Sequence, residues 1–214
     1  MSTATPRPAP RLVDRLVGGV GVIVGVTVLL WVIEAVDTVL LDDRLQGGGI
    51  QPREFSGLDG VLWAPFLHLG FGHVLSNTVP FVLLGLLVMT HGRARWAQVC
   101  IGVALVGGLA TWIFARSGNH IGASGIVFGL LGYLVAAAFA ARSPRAIWTG
   151  LVALFLYGGL LWGVLPSPGI SWEGHLFGVI AGALMAVVLG KPVVGRPKHG
   201  GPTVARRMGR RLGS

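Results

Sequence analysis

IGASGIVFGLLGYLVAAAFAA, residues 121–141, runs for twenty-one residues without a charged side chain. A helix of that length covers roughly 30 Å, the thickness of a bilayer's hydrocarbon core. Five other uncharged runs of similar length share the chain, at 16–33, 74–90, 96–115, 146–166 and 174–190. A buried soluble core is the alternative. With 12% charged and 53% hydrophobic residues, and a mean hydropathy of +0.74, too little polar surface remains to cover one. The expected fold is an all-α membrane protein. Six transmembrane helices form one domain over 16–190, between a tail at 1–15 and a basic, disordered tail at 191–214.

Charge sets the expected orientation. Six spans put both tails on one side, and that side collects 14 of the 17 basic residues. They are Arg7, Arg11 and Arg15, the pairs Arg93/Arg95 and Arg142/Arg145, and seven residues from Lys191 to Arg211. The other side holds only Arg44, Arg53 and Arg116. An excess of Lys and Arg marks the cytoplasmic face. The net charge of +9 is therefore read as topology and lipid-headgroup attraction, not as nucleic-acid binding. The single cysteine, Cys100, falls inside a span, so neither an intramolecular disulfide nor a cysteine metal cluster can form. The first run is too long for a signal-peptide core and is read as a retained helix. Glu34 and Asp37, near its outer end, are placed at the interface rather than in the interior. The long outer connection, 41–72, turns apolar at Leu62, Trp63, Phe66, Leu67, Leu69 and Phe71, a composition that lies in the headgroup region.

Polar residues inside spans are functional candidates. Three places stand out. Gly122-Ala123-Ser124-Gly125 opens the fourth run, and a helix starting there puts the Ser124 hydroxyl among free backbone N–H groups. His175, Gly178 and Gly182 share one helical face, where the glycines admit a close neighbour and the imidazole points at it. His73 and Asn77 lie one turn apart at the outer end of the second span. Taken singly, each has a plain structural reading: a serine cap, a solvated histidine, a polar helix end. All three fall at the same end of their helices, which favours a single site.

These motifs, in this order and on the second, fourth and sixth helices, resemble the signatures of rhomboid proteases over roughly 61–190. The resemblance implies a six-transmembrane-helix rhomboid bundle with a cavity opening to the outer side. It implies a Ser124–His175 dyad without an acidic third member, and an oxyanion held by the Ser124 N–H, His73 and Asn77. Gly122, Gly125, Gly178 and Gly182 would pack the helices around it. It implies single-span membrane proteins as substrates, cut in or near the spanning segment, with no cofactor, no metal and no nucleic acid. The expected location is a bacterial plasma membrane with both termini cytoplasmic. Nothing in the sequence bears on the oligomeric state. Three positions depart from the family's habit. Gly174 stands where Ala is usual, and Phe128 where many relatives have Tyr, so an aromatic ring can still pack on His175. The Trp-Arg pair of the first outer loop is missing from 59–73.

Two other functions compete. An inactive rhomboid-like binder of transmembrane client helices would typically have lost Ser124 or His175. A transporter would show inverted repeats or paired broken helices, and the chain has none. The charge split makes the topology testable. A reporter active only outside the cytoplasm, fused after Ser214, should give no signal; a strong signal would require an odd number of spans.

Overall fold

The computed structural model describes residues 12–190. Residues 1–11 of the expected N-terminal tail, and the whole 191–214 tail, lie outside them. Among the described residues the protein is helical, without a strand and with one isolated antiparallel bridge between Ile50 and His120.

Every uncharged run became a helix. They are α1 (Leu12–Leu40), α2 (Phe71–Met89), α3 (Arg93–Phe114), α4 (Ser124–Ala141), α5 (Pro144–Tyr157) and α6 (Trp172–Val188). Within α3 the stretch Val103–Gly107 is π-helical, and α5 continues as a 3-10 helix over Gly158–Val164. Five of these segments are long and apolar enough to cross a bilayer. The sixth, α6, is apolar and 17 residues long, about 25 Å at an α-helix's rise.

The central helix is α4, which packs most extensively against α6 and next against α5. Leu130, Leu131, Tyr133 and Leu134 on α4 are fully buried. Large apolar side chains such as Trp148 and Phe155 on α5 remain exposed, as expected of surfaces that meet lipid rather than water. The 41–70 connection forms short helical turns that leave Leu62, Trp63 and Leu69 exposed, and the bridge from Ile50 to His120 fastens it to the loop before α4.

One expectation fails. Glu34 and Asp37 are only 1% and 3% exposed. The chain reverses after α1 through Asp42 and Asp43, both with positive φ (54° and 59°), a conformation that Asp tolerates better than most residues. The returning chain caps the Asp37 carboxylate, and Glu34 is held from within α1. The Leu45 N–H donates to Asp37 Oδ1 at 2.8 Å, and the Thr38 hydroxyl donates to Glu34 at 3.3 Å.

At the opposite end of the bundle from Ser124, His91 in the α2–α3 turn is buried among hydroxyls. The Thr149 hydroxyl donates to the carbonyls of Arg145 and Ala146. It therefore accepts from His91 Nε2 (3.0 Å), which leaves His91 Nδ1 to accept from the Tyr133 hydroxyl (3.2 Å). The network satisfies a neutral imidazole. Burial first, and then the nearby Arg145 and Arg95, pull His91 down to about 4. Its folded value lies below the unfolded one, so an unfolded chain takes up the proton first as pH falls. Stability should be full above about pH 6.5 and should decline toward about pH 4. Thermal melts in detergent across that window should show the decline. His91→Gln should be less stable at neutral pH and should fall less steeply; an equal slope would remove His91 from the account.

Candidate active site

The site begins with a turn before α4. Gly122 has φ 117°, a conformation that side chains avoid. Its N–H donates to the Ala64 carbonyl at 2.9 Å, and the next N–H, of Ala123, donates to His68 Nε2 at 3.3 Å. The helix then starts at Ser124, whose own N–H has no partner in the preceding turn of a helix and faces the positive end of the dipole. Gly122, expected to pack helices, lies in the turn before α4, and a Cβ there would come within 2.8 Å of the His73 ring on α2.

His175 comes to Ser124 because α4 and α6 approach through glycine. A Cβ on Gly178 would collide with the Gly125 carbonyl, and one on Gly182 with the Gly129 carbonyl. Gly132 meets the Val179 carbonyl in the same way, a contact the sequence motifs did not include. At the end of this seam His175 Nε2 stands 3.0 Å from Ser124 Oγ. His175 Nδ1 stands 2.9 Å from the Gly163 carbonyl oxygen. Phe128, one turn after Ser124, stacks on the imidazole with ring centroids 4.1 Å apart and planes within 5°.

His73 and Asn77 line the same cavity as Ser124 and His175, a space of about 560 Å³. The Leu69 N–H donates to His73 Nδ1 at 3.2 Å, so a neutral His73 carries its proton on Nε2, the atom beside Gly122. Asn77 gives one amide hydrogen to the His73 carbonyl at 3.1 Å and retains a second. The cavity's outer wall includes Gly169, Ile170 and Ser171. Arg116 fastens that segment through Glu173 (3.5 Å) and the Ile170 carbonyl, and His120 bonds Ser171.

His68, in the connection before α2, is a site neighbour to which the sequence pattern assigned no role. It is 1% exposed and packs edge-on against His73 at 5.1 Å. Burial, and less strongly His73, bring it down to about 4, so it is neutral at ordinary pH and can accept the Ala123 N–H. The one hint in the sequence was a histidine within an otherwise apolar loop.

Fold and site together define a helical integral membrane protein with a Ser–His pair in a cavity at one end of its bundle. Comparison names the family. The rhomboid domain matches residues 58–192, and the chain belongs to the rhomboid family. It is 38% identical over 204 residues to an uncharacterized protein of Mycobacterium tuberculosis, covering 89% of this chain and 84% of that one. An uncharacterized protein of Mycobacterium leprae is 36% identical over 192 residues, 85% and 75% of the two chains. Rhomboid protease GluP of Bacillus subtilis is 31% identical over 132 residues, 60% of this chain and 25% of GluP.

The α4–α6 seam predicts a specific sensitivity. Gly182→Val should lower stability by roughly 1–3 kcal/mol or more through overpacking, whereas Val187→Ala, on an exposed position of the same helix, should change it little. Unfolding in mixed micelles measures both; equal effects would refute the close contact.

Proposed function

We propose that this protein is an intramembrane serine protease that cuts membrane-spanning substrates through Ser124 and His175. One observation carries the reading: a serine hydroxyl 3.0 Å from a histidine nitrogen, in a cavity that also contains His73 and Asn77. Membership in a family whose relatives include a named protease supports it. In the scheme six helices span the membrane, with α6 as the sixth. Both termini are cytoplasmic in a bacterial plasma membrane, and the cavity opens outward.

The Gly163 carbonyl can only accept, so His175 Nδ1 carries a proton and Nε2 offers a lone pair. Ser124 donates its O–H there. As Oγ attacks a peptide carbonyl, the proton moves to Nε2 and the carbonyl electrons move to oxygen. The Ser124 N–H, His73 Nε2–H and Asn77 Nδ2–H are the donors available to that oxyanion. Phe128 presents its π face to the imidazolium that forms. The tetrahedral adduct collapses, Nε2 returns its proton to the leaving amine, and an acyl ester remains on Ser124. Water then attacks the ester while His175 takes its proton, and collapse frees the carboxylate and restores the hydroxyl. No step needs a cofactor.

The substrate class follows from the location. A spanning helix must expose a peptide carbonyl to Ser124, so segments containing helix-weakening small residues such as glycine are the expected targets.

Cleavage of a single-span reporter in micelles or liposomes tests the roles together. Ser124→Ala and His175→Ala should each lose nearly all turnover, and the double variant little more, because the two act as one unit. Asn77→Ala and His73→Ala should be slowed on the order of a hundred- to a thousandfold while retaining some activity, the usual effect of removing one oxyanion donor. Wild-type turnover by Ser124→Ala would eliminate the reading. An inactive binder of client helices would show no turnover in any form.

A further inference from the structure

We propose that the Gly163 carbonyl takes the place of a triad's acid, fixing the tautomer of His175, and that Pro166 keeps this carbonyl free for the task. The functional consequence rests on the protease reading above; the hydrogen bond and its cause do not.

A base that accepts the Ser124 proton needs its lone pair on Nε2, and therefore its own proton on Nδ1. Free imidazole favours the opposite tautomer, so something must hold the needed one. In a triad that group is a carboxylate on Nδ1. Among the described residues no carboxylate is hydrogen-bonded to His175. Glu173, two positions earlier, pairs with Arg116 instead. The partner of Nδ1 is a main-chain oxygen, 2.9 Å away.

The carbonyl is available for a reason written in the sequence. A 3-10 helix such as Gly158–Val164 bonds its carbonyls to the N–H three residues on, up to its last turn. Its last such bond runs from the Leu165 N–H to the Trp162 carbonyl at 3.1 Å. The next carbonyl is that of Gly163, and its donor would be residue 166. That residue is proline, which has no N–H. Proline also disfavours helical geometry in the residue before it, and Leu165 is extended (φ −81°, ψ 143°). The helix stops, and an orphan acceptor is left beside the imidazole.

Glycine at 163 is the second requirement. A Cβ there would stand 2.8 Å from Phe128 Cζ and 3.4 Å from His175 Nδ1. A side chain would push the backbone away from both rings. Gly163 supplies the oxygen, its missing side chain supplies the approach, and Pro166 removes the competitor. Gly163 is thus a positioning residue, acting through His175.

The test reads the tautomer directly. The full chain, labelled with 15N-histidine in detergent micelles, should show His175 with Nδ1 protonated and Nε2 unprotonated at neutral pH. The His175→Gln spectrum assigns the signal. Pro166→Ala restores a competing N–H and should mix the tautomers. It should also lower kcat about tenfold, the factor that corresponds to one net hydrogen bond, with KM nearly unchanged. Gly163→Ala should displace the carbonyl and shift the 15N signature at least as far, and it carries the test should Pro166→Ala fail to fold. Protonation of Nε2 in the wild type, or variants that keep the wild-type tautomer and kcat, would overturn the proposal. A correct tautomer with an unreactive Ser124 would instead sink the protease reading and leave the hydrogen bond standing.

Discussion

Backbone contact between α4 and α6 is the constraint on which the site depends. Gly178 lies against Gly125 and Gly182 against Gly129 closely enough that a methyl group would overlap a carbonyl oxygen. Apolar burial does little to bring helices together in lipid, because lipid tails are as apolar as leucine; close backbone packing does more. Ser124 and His175 stand at one end of this seam, so its width sets their separation. At 3.0 Å they share a hydrogen bond; displacement by about 1 Å would break it.

Main-chain groups outside the two helices complete the arrangement. The Leu69 N–H donates to His73 Nδ1, while the Gly163 carbonyl accepts from His175 Nδ1. Opposite backbone partners thus give the two imidazoles opposite tautomers. One is left as a donor beside Gly122 and the other as an acceptor beside Ser124. His68 fastens the turn between them by accepting the Ala123 N–H. Segments that carry few charges still control the protonation of a site, because each imidazole takes the tautomer that its hydrogen-bonded backbone partner requires.

The helices were legible because charge is costly in lipid, so uncharged runs 121–141 and 74–90 map closely onto α4 and α2. Glycine spacing pointed to a close helix neighbour for α6 without saying that the neighbour is α4. Glu34 and Asp37 were misplaced because their burial is a tertiary event; for Asp37 it includes a chain reversal at Asp42 and Asp43 that brings the Leu45 N–H onto its carboxylate, with only two aspartates as a trace in the sequence. The part played by the Gly163 carbonyl had no side chain to announce it. Pro166 was visible in the sequence, but its effect on a carbonyl three residues back appears only once the 3-10 geometry is known. Gly122 gave a similar lesson, since its positive φ shapes a turn as well as admitting the His73 ring of α2.

The central claim is that a nucleophile activated by His175 resides at Ser124, and its most direct test is chemical. The purified protein in micelles is treated with a fluorophosphonate, digested and mapped by mass spectrometry. The account predicts one adduct, on Ser124, forming in the wild type and lost or nearly lost when His175 is changed to alanine. A wild-type protein that remains unmodified at Ser124, or an adduct that forms equally fast without His175, would contradict it.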